Sequence, residues 1–244
     1  MAITLNALQF LQGSLALTFV LISMFVGIKL LLKYAKFKQK TLLYAGITWI
    51  FIVSPWFNTA INFIYVLVSG NSVSVQLYLL LGYIWVPLPL ISWIILFTDL
   101  KYKEKQVPIV LITIIQGIIY EIVFIYFIII DYTVVGTMQG VFNDELTVFF
   151  IVYILAIMII VLISGSIFAL ETIKSDKPDI RLKSKFLLLA WIFFFVGAIL
   201  DAGLFQFTAI LLIIVRILLI TSAIEFYFGF FLPETIKKWL INEN

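Results

Sequence analysis

Apolar residues run along this chain in seven long blocks separated by short polar segments. The blocks cover about 8–32, 41–68, 77–98, 107–130, 146–170, 186–206 and 207–232. Each approaches or exceeds the ~20 residues that a helix needs to cross ~30 Å of hydrocarbon. The pattern predicts an all-α membrane protein, a seven-transmembrane-helix bundle over residues 1–232. The sixth and seventh blocks are contiguous. One unbroken helix of ~46 residues would extend nearly 70 Å, so a tight turn is expected within Gly203–Thr208. Residues 233–244 are expected to form a short amphipathic tail helix, with Pro233 at its start. There Ile236, Trp239 and Leu240 share a face, and Lys237 and Lys238 turn toward headgroups. Such a tail either rests on the membrane or binds a partner.

Polar residues inside the blocks fall on helix faces. In the second block Thr48, Pro55, Asn58, Thr59 and Asn62 recur at helical spacing. In the third, Tyr78, Gly82, Trp85, Pro89 and Ser92 follow a three-four spacing and are expected to face inward. The fourth carries Thr113, Gln116, Gly117 and Tyr120, with Glu121 beside them, and the sixth carries Gly197 and Asp201. The seventh carries Arg216 near its middle and Glu225 further on. Ionisable groups at such depth are costly and face a protein interior or a wet cavity. At ~1.5 Å of rise per residue, Asn62, Trp85, Glu121, Asp201 and Arg216 all lie within roughly 15 Å of the outer ends of their helices. An Arg216–Asp201–Glu121 cluster is therefore expected, because one guanidinium can serve two carboxylates. Glu225 lies about half a turn out of phase with Arg216 and ~13 Å along the axis. It is expected in a separate inner polar notch with Thr221, Ser222 and Gly229, with Lys29 as its candidate partner or with its carboxyl protonated.

Charge sets the expected orientation. Of the 16 basic residues, Arg216 alone lies outside four clusters, which follow the first, third, fifth and seventh blocks. The opposite loops hold Asp131, Asp144 and Glu145 and no base. By the positive-inside rule the N-terminus is outside and the C-terminus cytoplasmic. No basic n-region precedes the first block, so that helix is expected to be kept. The outer loop Asp131–Glu145 is long, acidic and glycine-containing, and is either a lid or a plain connector.

Composition narrows the chemistry. The chain is 64% hydrophobic and 12% charged, about half the charged fraction of a soluble domain. It has no cysteine and no histidine. That excludes disulfides, a Ser-His triad and any zinc site built on those ligands. No nucleophile–base pair or metal set is found. Neither an enzyme nor a metal site is expected.

Two resemblances bear on function. Gly82-Tyr83-Ile84-Trp85-Val86-Pro87 resembles the proline-containing third helix of microbial rhodopsins. The seventh block has no lysine, so it cannot hold retinal as a Schiff base, and no cofactor is expected. Tyr83, Pro87, Trp93 and Phe97, with the basic Asp99-Leu100-Lys101-Tyr102-Lys103 exit and Gly229-Phe230-Phe231-Leu232-Pro233, are similar to the seven-transmembrane sensor region at the N-terminus of some prokaryotic histidine kinases. No kinase is expected on this chain, which has no histidine. The resemblance implies sensing, with output passed to a separate protein.

The resulting expectation is a multi-pass receptor or sensor of the plasma membrane. A small ligand would enter from outside, meet Asn58, Asn62 and Trp85, and perturb the Arg216 network. The partners would be the bilayer, that ligand and a cytoplasmic signalling protein; no nucleic acid is expected. Two alternatives stay open: a small transporter or channel using the same buried charges, and a membrane scaffold in which polar groups and ion pairs only pack helices.

Overall fold

The computed structural model describes residues 2–202 and 208–241, with side chains as far as Lys237. Among the described residues seven helical spans are long and apolar enough to cross a membrane: Ala7–Phe37, Lys40–Ser69, Val75–Lys101, Lys103–Ile130, Val148–Thr172, Pro178–Asp201 and Ala209–Phe230. Among the described residues the fold is all-α apart from one small hairpin. The chain packs as two compact units, Met1–Ile157 and Met158–Asn244, and each is described by itself.

In the first unit α1 (Ala7–Phe37) opens on a capping box. The Asn6 side chain accepts from the Gln9 amide at 2.9 Å, and the Gln9 side chain accepts from the Asn6 amide at 3.0 Å. The second span is broken in two, α2 (Lys40–Ile52) and α3 (Phe57–Ser69), by a 3₁₀ turn at Ser54–Trp56. Pro55 causes the break, since it cannot donate to the carbonyl four residues back. The third span is broken likewise into α4 (Val75–Tyr83) and α5 (Pro87–Lys101). Pro87 frees the Tyr83 carbonyl, which accepts from the Val86 amide at 3.3 Å and from the Tyr120 hydroxyl at 3.1 Å. That hydroxyl comes from α6 (Gln106–Ile130). Gly117 of α6 leaves room there, because a Cβ would sit 3.0 Å from Pro87. Farther along, the Thr48 and Ser92 hydroxyls join α2 to α5 at 2.9 Å.

The second and third spans are 61% buried, against 22% for the fourth, so they form the interior of this unit. Residues 131–147 close its end opposite the lysines. An Asx turn in which Asp131 accepts from Thr133 leads into strands β1 (Gly136–Met138) and β2 (Asp144–Leu146), paired antiparallel with Thr137 opposite Glu145. Gly140, at φ +130°, makes the turn that only glycine adopts without strain. The long loop is therefore a structured hairpin.

The second unit holds most of α7 (Val148–Thr172), then α8 (Pro178–Asp201), α9 (Ala209–Phe230) and α10 (Glu234–Ile241). Here α8 starts eight residues before the apolar block does, so Arg181, Lys183 and Lys185 are helical. The proposed turn at Gly203–Phe207 lies outside the described residues; Thr208 caps α9 by accepting from the Leu211 amide at 3.2 Å. Glycines bring these helices close. A Cβ on Gly165 would meet the Trp191 indole at 2.5 Å, and one on Gly229 would meet Leu187 at 2.4 Å. The expected tail helix is present as α10, and Lys237 reaches the Asp179 carboxylate at 2.6 Å. That hydrogen bond, with the carboxylate's charge, holds the Lys237 ammonium above its usual range. The lysine therefore keeps its charge at neutral pH and gives up its side of the pair as pH rises through the raised value.

Gly229→Leu should force α8 and α9 apart and lower stability by about 1–3 kcal/mol. Thermal unfolding in detergent micelles checks this, with Leu187→Ala in the same chain recovering part of the loss.

Candidate functional site

The polar stripes of the second and third spans converge on the hairpin. Its tip, Gln139–Asn143, is closed by the Gln139 amide donating to the Asn143 carbonyl at 2.8 Å. The carbonyls between them turn into the bundle. The Val141 carbonyl accepts from the Asn62 side-chain amide at 2.8 Å. The Phe142 carbonyl accepts from the Tyr78 hydroxyl at 2.8 Å and from the Thr59 hydroxyl at 3.4 Å. Thr59 and Tyr78 are themselves joined at 2.8 Å. Two further contacts hold the hairpin's sides: Gln12 of α1 donates to the Asn143 side chain, and the Tyr83 hydroxyl donates to the Asp144 carboxylate.

Apolar contacts seat the same segment. Phe142 is buried and packs edge-on against Phe63 at 6.0 Å, and Val135 is fully buried. Asn62 is the joint of the site. While its amide donates to the hairpin, its side-chain oxygen accepts from the Ser72 hydroxyl at 3.1 Å and the Val73 amide at 3.0 Å. One fully buried side chain thus ties both connectors at this end.

Asn58 lies one turn deeper, also fully buried. Its oxygen accepts from the Thr59 amide at 2.6 Å, while its Nδ2 and the Ser54 Oγ have no partner among the described residues. Gly82 faces it, and a Cβ there would sit 2.7 Å from that Nδ2. Tyr78, Gly82, Pro89 and Ser92 face inward as the spacing implies. Trp85 does not. It is 41% exposed, with its ring 5.1 Å from that of Phe51. The reason is the break at Ile84–Val86, which interrupts the helical phase that placed Trp85 with the others.

In the second unit Arg216 and Asp201 form an ion pair at 2.8 Å between α9 and α8, with Arg216 only 3% exposed. The guanidinium Nε has no partner among the described residues. The third expected member, Glu121, belongs to the first unit, where it is half-buried within electrostatic reach of Tyr120 and Tyr153. Those two rings stack at 4.3 Å, and the Tyr153 hydroxyl donates to Gln116 at 2.6 Å.

Glu225 is buried on α9, and its Oε2 has no partner among the described residues. Ser222 is buried one turn before it, but its hydroxyl donates to the Leu219 carbonyl of its own helix at 2.6 Å. Thr221 is half-buried. Lys29 belongs to the first unit, and its ammonium lies over the Phe25 ring at 5.2 Å.

Gln12, Tyr83, Phe142, Asn143 and Asp144 were not among the candidates the sequence suggested. One signal was present: the loop between the fourth and fifth blocks carries two apolar pairs, Val134-Val135 and Val141-Phe142, that a plain solvated connector would not need. No protein-family model, no curated protein and no solved structure matches the chain.

Asn62→Leu removes three hydrogen bonds at a buried site and should cost about 3 kcal/mol. Amide exchange over residues 135–147 should accelerate with it, as read by hydrogen-exchange mass spectrometry. Arg216→Met should cost ~3–5 kcal/mol by leaving Asp201 without its cation. Adding Asp201→Leu should recover much of that loss in unfolding measurements on the double variant.

Proposed function

We propose that this integral membrane protein is a sensor whose outer hairpin is a built-in occupant of its own polar face. One observation carries the reading. The donors on the second and third spans are spent on the backbone carbonyls of Val141 and Phe142, in a loop that could have stayed in water. A ligand able to accept from Asn62, Thr59 and Tyr78 would compete with the hairpin tip. A hydroxylated or carbonyl-bearing small molecule has that chemistry.

Displacement of the tip would be felt at the break in the third span. Asp144 is bonded to Tyr83, the last residue of α4, and the Tyr83 carbonyl is held by Tyr120 of α6. Beyond the break α5 runs to Lys101 at the lysine-rich end. A change in how α4 meets α5 would therefore reach the surface that the charge distribution assigns to the cytoplasm. Output to a separate protein at that surface accords with the resemblance to kinase sensor regions.

A second reading is favoured by the unpartnered Glu225 Oε2 and the Arg216–Asp201 pair on the same helix. Buried charges of this kind also occur in transporters. Proton or ion flux in liposomes that Glu225→Gln abolishes would support this reading over the first.

The sensor reading is tested without knowing the ligand. The chain has no native cysteine, so Glu104→Cys places a single label site at the lysine-rich end. Releasing the hairpin with Asn62→Leu should change its maleimide labelling rate at least threefold. An unchanged rate in a variant whose hairpin amides exchange faster would overturn the proposal.

A further inference from the structure

A second feature lies at the opposite end of the first unit. There α2 and α6 flank α5, and a groove of about 410 Å³ runs between them. Its mouth carries Lys40, Lys103 and Asp99, and below these Tyr44, Ile95 and the α6 residues Val107, Val110, Leu111 and Ile114 line it. Lys103 is paired with Asp99, one turn before it. Gln106 donates to the Ile95 carbonyl at 3.1 Å, which fixes the start of α6 against α5 and shapes the floor.

The charge at the mouth favours an anion. Here α2 begins, with no side-chain cap on its first amides. One helix N-terminus and two ammonium groups therefore meet one carboxylate. The remainder of the groove is of the opposite character. From Val107 to Ile114 the α6 wall descends ~10 Å, two-thirds of the depth of one leaflet. It is wholly apolar, and Val107 and Leu111 are exposed. A soluble phosphate would use the mouth and leave that wall bare. A molecule with an anionic head and a hydrocarbon tail uses both, and basic pockets between spans are a known form of headgroup site.

We propose that this groove seats one anionic phospholipid. The lipid phosphate lies between Lys40 and Lys103, a headgroup hydroxyl donates to Asp99, and one acyl chain follows the Val107–Ile114 face. The site is separate from the hairpin and does not depend on the sensor reading.

Native mass spectrometry of the full chain, released from nanodiscs containing equal phosphatidylglycerol and phosphatidylcholine, tests this. One phosphatidylglycerol should be retained in preference to phosphatidylcholine. The Lys40→Gln, Lys103→Gln double variant should lose that preference at least tenfold. A Lys36→Gln, Lys105→Gln variant changes the net charge equally outside the groove and should keep it. Val110→Trp, which fills the groove and leaves both lysines, should also lose it. Equal loss in the two lysine variants would mean that the basic surface attracts anionic lipid without a seat, and would overturn the proposal. So would undiminished binding in Val110→Trp, or displacement of the lipid by millimolar glycerol phosphate, since the mouth alone would then account for binding.

Discussion

A peptide group in hydrocarbon has no water to bond, so every carbonyl and amide at that depth must find its partner within the protein. Most of the structure of the first unit follows from how three prolines violate this rule and how it is restored. Pro55 and Pro87 each remove a donor from the middle of a span. The chain answers with a 3₁₀ turn in one case and with a borrowed hydroxyl, Tyr120, in the other. Pro89 is handled locally, the Leu88 amide reaching the Trp85 carbonyl at 3.1 Å. Each repair draws a neighbouring element in. The tyrosine that serves Tyr83 also stacks on Tyr153 and Phe124, so the break in one span organises the packing of two others.

The same demand explains the hairpin. Its tip carbonyls, turned away from their own ladder, would be expensive at the edge of the bilayer. Asn62, Tyr78 and Thr59 would be equally expensive with nothing to donate to. Each set satisfies the other, and the apolar Phe142 carries the tip inward. In the second unit the corresponding problem is a buried guanidinium, answered by Asp201 across a helix pair that Gly197 and Gly229 allow to pack closely.

Much of this architecture was legible in the sequence. The seven spans are read from block length, the tail helix from Pro233 and the apolar spacing after it, and the inward stripe of the second span from Thr48, Asn58, Thr59 and Asn62. The Arg216–Asp201 pair follows from two charges that have nowhere else to go at that depth. What could not be read is whatever depends on breaks in helical phase or on long-range closure. Trp85 was placed on an inward face by a spacing that assumes one continuous helix. The hairpin's seat joins residues 61 to 131 positions apart, and its decisive groups are backbone carbonyls, which leave no mark on a residue pattern.

An occupant joined to its site by peptide bonds never dilutes. Its local concentration is set by the length of residues 131–147, and for short tethers that is in the millimolar range. An incoming molecule that takes the same donors competes against this fixed opponent. If seating the tip is worth about 3 kcal/mol, the molecule's apparent affinity falls by roughly a hundredfold. On the proposed sensor reading the hairpin would then do more than close one end of the first unit. It would set a threshold, and substitutions within the loop would tune the level of ligand needed to cross it without altering a single contact to the ligand itself.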